Sequence, residues 1–114
     1  MPRSVLALQD VIPAGLDPTY TAADAAGHQI VNDGKTFLHV KNGAVDVLVT
    51  VQTPFKQDGL ELEELKVTVL ASDERMIGPF EPRSFNIRSG ADVGQVYIDF
   101  DDVTNVTIAA VRVP

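Results

Sequence analysis

The chain has 114 residues, 45% of them hydrophobic and 22% charged, which is enough to close one hydrophobic core and too little for two. Its 16 acidic side chains against 9 basic ones give a formal net charge of -7, which repels phosphate backbones and anionic lipid surfaces and argues against nucleic acid or membrane as a partner. Cysteine is absent, so disulfides, thiolate zinc sites and cysteine nucleophiles are excluded together.

The first apolar stretch, Val5 to Gln9, predicts a short strand and falls short of a secretory or membrane-spanning segment. From Ile12 to Tyr20 the chain carries Pro13, Gly15 and Pro18, residues that break regular structure, so it is expected to run extended over the surface. Thr21 to Gly27 has a capping threonine at one end and a glycine at the other, which predicts one or two helical turns at most. Together these segments make an N-terminal strand and arm over residues 1–27, ahead of a core over residues 28–114.

Short strands are expected at His28 to Val31 and Thr36 to Lys41, each followed by a turn: Asn32-Asp33-Gly34-Lys35, then Lys41-Asn42-Gly43-Ala44. Asp-Gly and Asn-Gly tolerate positive φ, which suits tight hairpins and predicts a meander through both turns. Val45 to Thr53 alternates most cleanly, with Val45, Val47, Val49 and Val51 on one face and Asp46, Thr50 and Gln52 on the other. Leu65 to Leu70 is a further strand, with Gln57-Asp58-Gly59 as a turn before it; Arg75 to Ile77 and Ser84 to Ile87 are shorter ones. After the turn at Ser89-Gly90-Ala91-Asp92, Gln95 to Asp101 again alternates, with Val96, Ile98 and Phe100 inward. The β-branched run Val106 to Val113 closes the chain as a packed strand. The expected fold is an antiparallel β-sandwich, jelly-roll or immunoglobulin-like, of about eight strands with an irregular N-terminal arm and at most one short helical turn.

Chemistry has few places to reside in such a sequence. The histidines, His28 and His39, lie in predicted strands without a nucleophile elbow or a third metal ligand nearby, and are expected to serve the sheet or an interface. Asp99, Asp101 and Asp102 invite a calcium reading, but they lack the glycine-bearing loop of a calcium site and are expected to be solvated strand-end residues, as are Glu61, Glu63 and Glu64. No cofactor, metal site or catalytic residue is expected. What remains is surface. The candidate protein-contact residues are Leu16, Tyr20, Phe55, Pro79, Phe80 and Pro82, with plugging the end of the sandwich as the competing role for Phe80.

The segments Gly15-Leu16-Asp17-Pro18-Thr19-Tyr20, Asn32 to Gly43, Val49 to Pro54, Glu74 to Phe80, Val96 to Phe100 and Val106 to Val113 together resemble small structural proteins encoded among the head genes of tailed phages and prophages. The likeness runs from about Gly15 to Val113 and consists of strand and turn signatures, with no catalytic motif. It implies a virion component made in the host bacterial cytoplasm, a decoration or cement protein that binds the major capsid protein on the outside of the shell, alone or as a homo-oligomer such as a trimer. A head-completion, connector or tail-associated protein is the nearest alternative, and a small ligand-binding sandwich a more distant one.

Overall fold

The computed structural model describes residues 4–43, 45–54, 56–57, 60–61, 64–88, 90 and 92–113. Its strands are β1 (Ser4–Val5), β2 (Leu8–Asp10), β3 (Thr21–Ala22), β4 (His28–Val31), β5 (Thr36–Asn42), β6 (Val47–Val51), β7 (Lys56–Gln57), β8 (Leu60–Glu61), β9 (Leu65–Val69), β10 (Glu74–Ile77), β11 (Gln95–Phe100) and β12 (Val106–Arg112), with one short helix, α1 (Pro82–Phe85). The first sheet has the order β1-β4-β11-β6-β9, and the second the order β10-β5-β12-β2, with β3 sharing the β12 edge with β2.

This strand order defines a jelly roll. Along the chain from β3 to β12, every link between strands of the two main sheets changes sheet except β6 to β9, whose intervening residues carry the separate β7·β8 pair. The antiparallel pairs β3·β12, β4·β11, β5·β10 and β6·β9 are therefore successive rungs of a single long hairpin. Rolled up, that hairpin alternates its rungs between the two layers. Between the layers lie Ile30, Leu38, Val40, Val47, Val49, Val51, Val69, Val96, Ile98 and Ile108, all fully buried. β-branched side chains suit a pleated surface that is covered on one side, and each one buried contributes about 1.5–3 kcal/mol of transfer free energy.

Pairing is not wholly antiparallel. Before the hairpin begins, the chain passes along one lateral edge of the sandwich: β1 pairs with β4 in parallel, Leu6 turns inward, and β2 pairs with β12 in parallel. The single predicted strand Val5 to Gln9 is thus two strands in different sheets, a crossing that closes an edge of both layers. On the opposite side the Leu70–Asp73 corner, with Ser72 at φ 61°, carries the chain from β9 to β10 in the same manner.

The expected meander is also corrected. β4, β5 and β6 alternate between sheets, so the turns at Asn32 and Asn42 are corners of the sandwich rather than hairpins. Their asparagines are buried and organise those corners. Asn32 Nδ2 donates to the Phe80 carbonyl at 3.0 Å and to Asn86 Oδ1 at 2.6 Å, while its own Oδ1 accepts the Gly34 N–H at 3.0 Å. Asn42 Nδ2 donates to the carbonyls of Val45, Val69 and Leu70, binding the start of β6 to the end of β9. The Gly43 N–H donates to the Asn105 carbonyl at 3.1 Å, tying this corner to the turn before β12.

The predicted helical turn at Thr21 to Gly27 is absent. Thr21 and Ala22 pair with β12, and the following turn is held by Gly27 N–H donating to the Asp24 carbonyl and Ala26 N–H donating to the Asp24 carboxylate. Helix instead occurs at Pro82–Phe85, overlapping the first two residues of the predicted Ser84 to Ile87 strand, and Pro82 occupies its first turn and lacks the amide a strand ladder requires. Val45 is exposed because β6 starts two residues after it. The turns expected at Gln57-Asp58-Gly59 and Ser89-Gly90-Ala91-Asp92 fall partly outside the described residues.

Candidate protein-contact face

Alternation along β5 sends Leu38 and Val40 into the core and leaves Phe37, His39 and Lys41 on the outer face of the second sheet. The ladder sets Val111, Ala109 and Thr107 of β12 opposite these three residues, and Met76 and Glu74 of β10 opposite His39 and Lys41. Although they face outward, His39, Ala109 and Val111 are buried. Tyr20 accounts for part of this cover: it enters just before β3, beside β12, and its ring meets His39 edge-on at 5.4 Å. The Lys41 ammonium stands 4.0 Å above the same ring, a cation–π contact.

Tyr20, His39 and Glu74 form a continuous hydrogen-bonded line. The Tyr20 hydroxyl lies 2.7 Å from His39 Nδ1, and His39 Nε2 lies 2.8 Å from Glu74 Oε1. In the neutral tautomer that satisfies both contacts, Nε2–H donates to the carboxylate and Nδ1 accepts the phenolic proton. The loop leading to Tyr20 is closed by the Gln9 side chain, which both donates to the Thr19 carbonyl and accepts its N–H. Leu16, half-buried, sits within that loop.

At the end of the same face, Gly34, Lys35, Phe37, Pro79 and Val113 line an open apolar hollow of about 400 Å³. Gly78, at φ 125°, makes the approach possible, since a Cβ there would stand 3.0 Å from the Phe37 Cβ and 3.1 Å from its Cα. Pro82 packs against the Gly34 loop, and Met76 is 68% exposed next in line on β10. Of the six contact residues expected from sequence, Pro79 and Pro82 are exposed at this end, while Leu16 and Tyr20 are half-buried in the loop over the sheet. Phe80 is 1% exposed, packed in the core with its ring 5.5 Å from Phe85, so its side chain is withdrawn from the surface and plugs the sandwich. Phe55 lies outside the described residues, as does Glu63.

Other polar groups join neighbouring strands or hold turns. Asp99 accepts from Gln52 Nε2 at 2.7 Å, Asp101 from the Leu48 N–H at 2.8 Å, and Asp102 from the Thr104 N–H at 2.8 Å, a bond that keeps the Asp102 carboxyl below the usual carboxylate range. These carboxylates have separate partners, and among the described residues there is no group of three or more His, Asp or Glu side chains placed to hold a metal ion. Ser4, Asp24 and His28 also come together, but in an order unsuited to nucleophilic attack. The Ser4 hydroxyl donates to the Asp24 carboxylate, and His28 Nε2 accepts the Asp24 N–H at 2.8 Å, so its lone pair is occupied. The Ser4 hydroxyl and then the Ala26 amide hold the Asp24 carboxyl below its ordinary value.

Sequence reasoning passed over Phe37, Met76, Val113 and the Tyr20–His39–Glu74 line. Each is an ordinary strand or loop residue, and only the pairing of β5 with both β10 and β12 gathers them. Comparisons with protein-family models, with curated proteins and with solved structures return no match for this chain.

Proposed function

We propose that the chain is a structural component of a tailed-phage particle, a decoration module that binds the major capsid protein through the outer face of its second sheet. The observation that carries this reading is the run of uncovered apolar side chains there: Met76 is 68% exposed and Val113 52%, beside Pro79 and the hollow over Phe37. On a chain with a formal charge of -7, such a patch is a contact surface in search of cover. The likeness of its segments to phage head proteins supports the major capsid protein as that partner. A jelly roll is one of the architectures used by viral shell domains, although a fold alone assigns no function. Shell symmetry multiplies weak individual contacts into firm attachment.

Gel densitometry of purified particles tests the proposal. A decoration protein is expected on the order of hundreds of copies, as the repetition of a shell requires. A single ring of copies assigns the chain to a head-completion or connector role, and its absence from particles overturns the virion reading.

A further inference from the structure

The Tyr20–His39–Glu74 line has the connectivity of a nucleophile, a base and a carboxylate that orients the base. The phenol takes the position of the nucleophile at 2.7 Å from Nδ1, and Glu74 sits 2.8 Å from the opposite ring nitrogen. The elements that set this order are rigid: Met76 and Glu74 are held on β10 against β5, and Tyr20 is tied down by β3 on one side and the Gln9 clasp on the other. His39 is 9% exposed, whereas the Glu74 side chain is 58% exposed, so the line runs from solvent through a sheltered imidazole to the phenol.

The other tyrosine of the chain, Tyr97, provides a built-in contrast, because its hydroxyl donates to the Asp92 carboxylate instead. In water an imidazole holds a proton about two to three pKa units more tightly than a carboxylate does. A phenol bonded to imidazole is therefore the easier one to deprotonate during attack.

The geometry points to Tyr20 as a nucleophilic site that accepts an acyl group from an activated acyl donor. In the step, Tyr20 Oη attacks the donor carbonyl carbon and an O–C bond forms. The phenolic proton passes to His39 Nδ1, while Glu74 steadies the imidazolium through Nε2–H. The donor's bond to its leaving group breaks, and the leaving group departs with the proton returned from His39. The Lys41 ammonium, 4.0 Å above the ring, adds positive charge beside the negative charge that develops. His39 is here the base, and Glu74 a positioning residue.

N-acetylimidazole at neutral pH is the probe, with peptide mass mapping to follow Tyr20 and Tyr97 in the same sample. Tyr20 is expected to acetylate at least about tenfold faster than Tyr97, a modest part of the ~10²–10⁴ that a placed general base supplies. His39→Gln is expected to remove the preference. Because that change lies in a sheltered position, Glu74→Gln is the second variant: it alters an exposed side chain, and is expected to slow Tyr20 about fivefold or more, on the same general-base reasoning, with the Tyr97 rate and the thermal midpoint unchanged. Glu74→Asp, which restores a carboxylate, is expected to recover part of the loss. Acetylation of Tyr97 at an equal or greater rate overturns the inference, as does a Tyr20 rate that Glu74→Gln leaves unchanged.

Discussion

Phe80→Ala separates a core plug from a contact residue. Phe80 is 1% exposed and, among the described residues, is the largest of the fully buried side chains; its ring packs against Phe85, and its backbone carbonyl accepts from Asn32. Truncating a buried phenylalanine removes both its transfer free energy and its packing partners, about 3–5 kcal/mol. That is a large share of the roughly 5–15 kcal/mol by which a domain is stable. At about 2.1 cal/mol/K of unfolding entropy per residue, each kcal/mol shifts the midpoint of a chain this size by about 4 °C, so the thermal midpoint falls by about 12–20 °C. Scanning calorimetry reads the shift, and urea titration is expected to show a lower midpoint concentration at an unchanged slope. Met76→Ala, on the exposed face, is the control and changes stability by about 0.5 kcal/mol or less. A loss below about 1 kcal/mol for Phe80→Ala would refute the plug; so would an intact midpoint accompanied by lost binding.

Gly78→Ala forces a Cβ against Phe37 at a positive φ and is expected to lower stability by about 1–3 kcal/mol, read by the same urea titration; an unchanged midpoint contradicts the close approach. Asn42→Ala leaves the carbonyls of Val45, Val69 and Leu70 without their shared donor, at about 1–3 kcal/mol, and native-state hydrogen exchange is expected to quicken where β9 turns into β10. The hydrogen bond from Arg112 lowers the Asp10 carboxyl, as the Ser4 hydroxyl lowers that of Asp24. Both carboxylates therefore stabilise the fold above the unfolded carboxyl pKa of about 3.9 and lose that contribution as pH falls through their lower folded values. Thermal midpoints are expected to drop below about pH 4, and less so in Asp10→Asn and Asp24→Asn; an equal drop in those variants contradicts the assignment.

Period-two alternation made the strands legible in β6 and β11, because a strand covered on one side displays its burial in every second residue, while β12, buried at nearly every position, was legible as a β-branched run. The same pattern says nothing of which strand lies beside which. Asp-Gly and Asn-Gly marked real turns, yet the buried side chains of Asn32 and Asn42 make them corners between layers, and that use is invisible without the carbonyls they reach. At Thr21 a local capping signal lost to pairing with β12, and at Ser84 a strand signal lost to Pro82. Pro79 and Pro82 stood out in the sequence as breakers, whereas Phe37, Met76 and His39 resembled any strand residues until β10 and β12 flanked β5. Phe80 shows the limit of that reading from the other side, since an aromatic between two prolines suits a plug as well as a contact.

Co-sedimentation of the purified chain with capsid shells stripped of it tests the contact face most directly. Met76→Glu, placed on the outer face of the second sheet, is expected to abolish binding, while Val31→Glu, at an exposed strand position of the first sheet, is expected to bind as the unchanged chain does. Undiminished binding by Met76→Glu, or loss confined to Val31→Glu, would contradict the account.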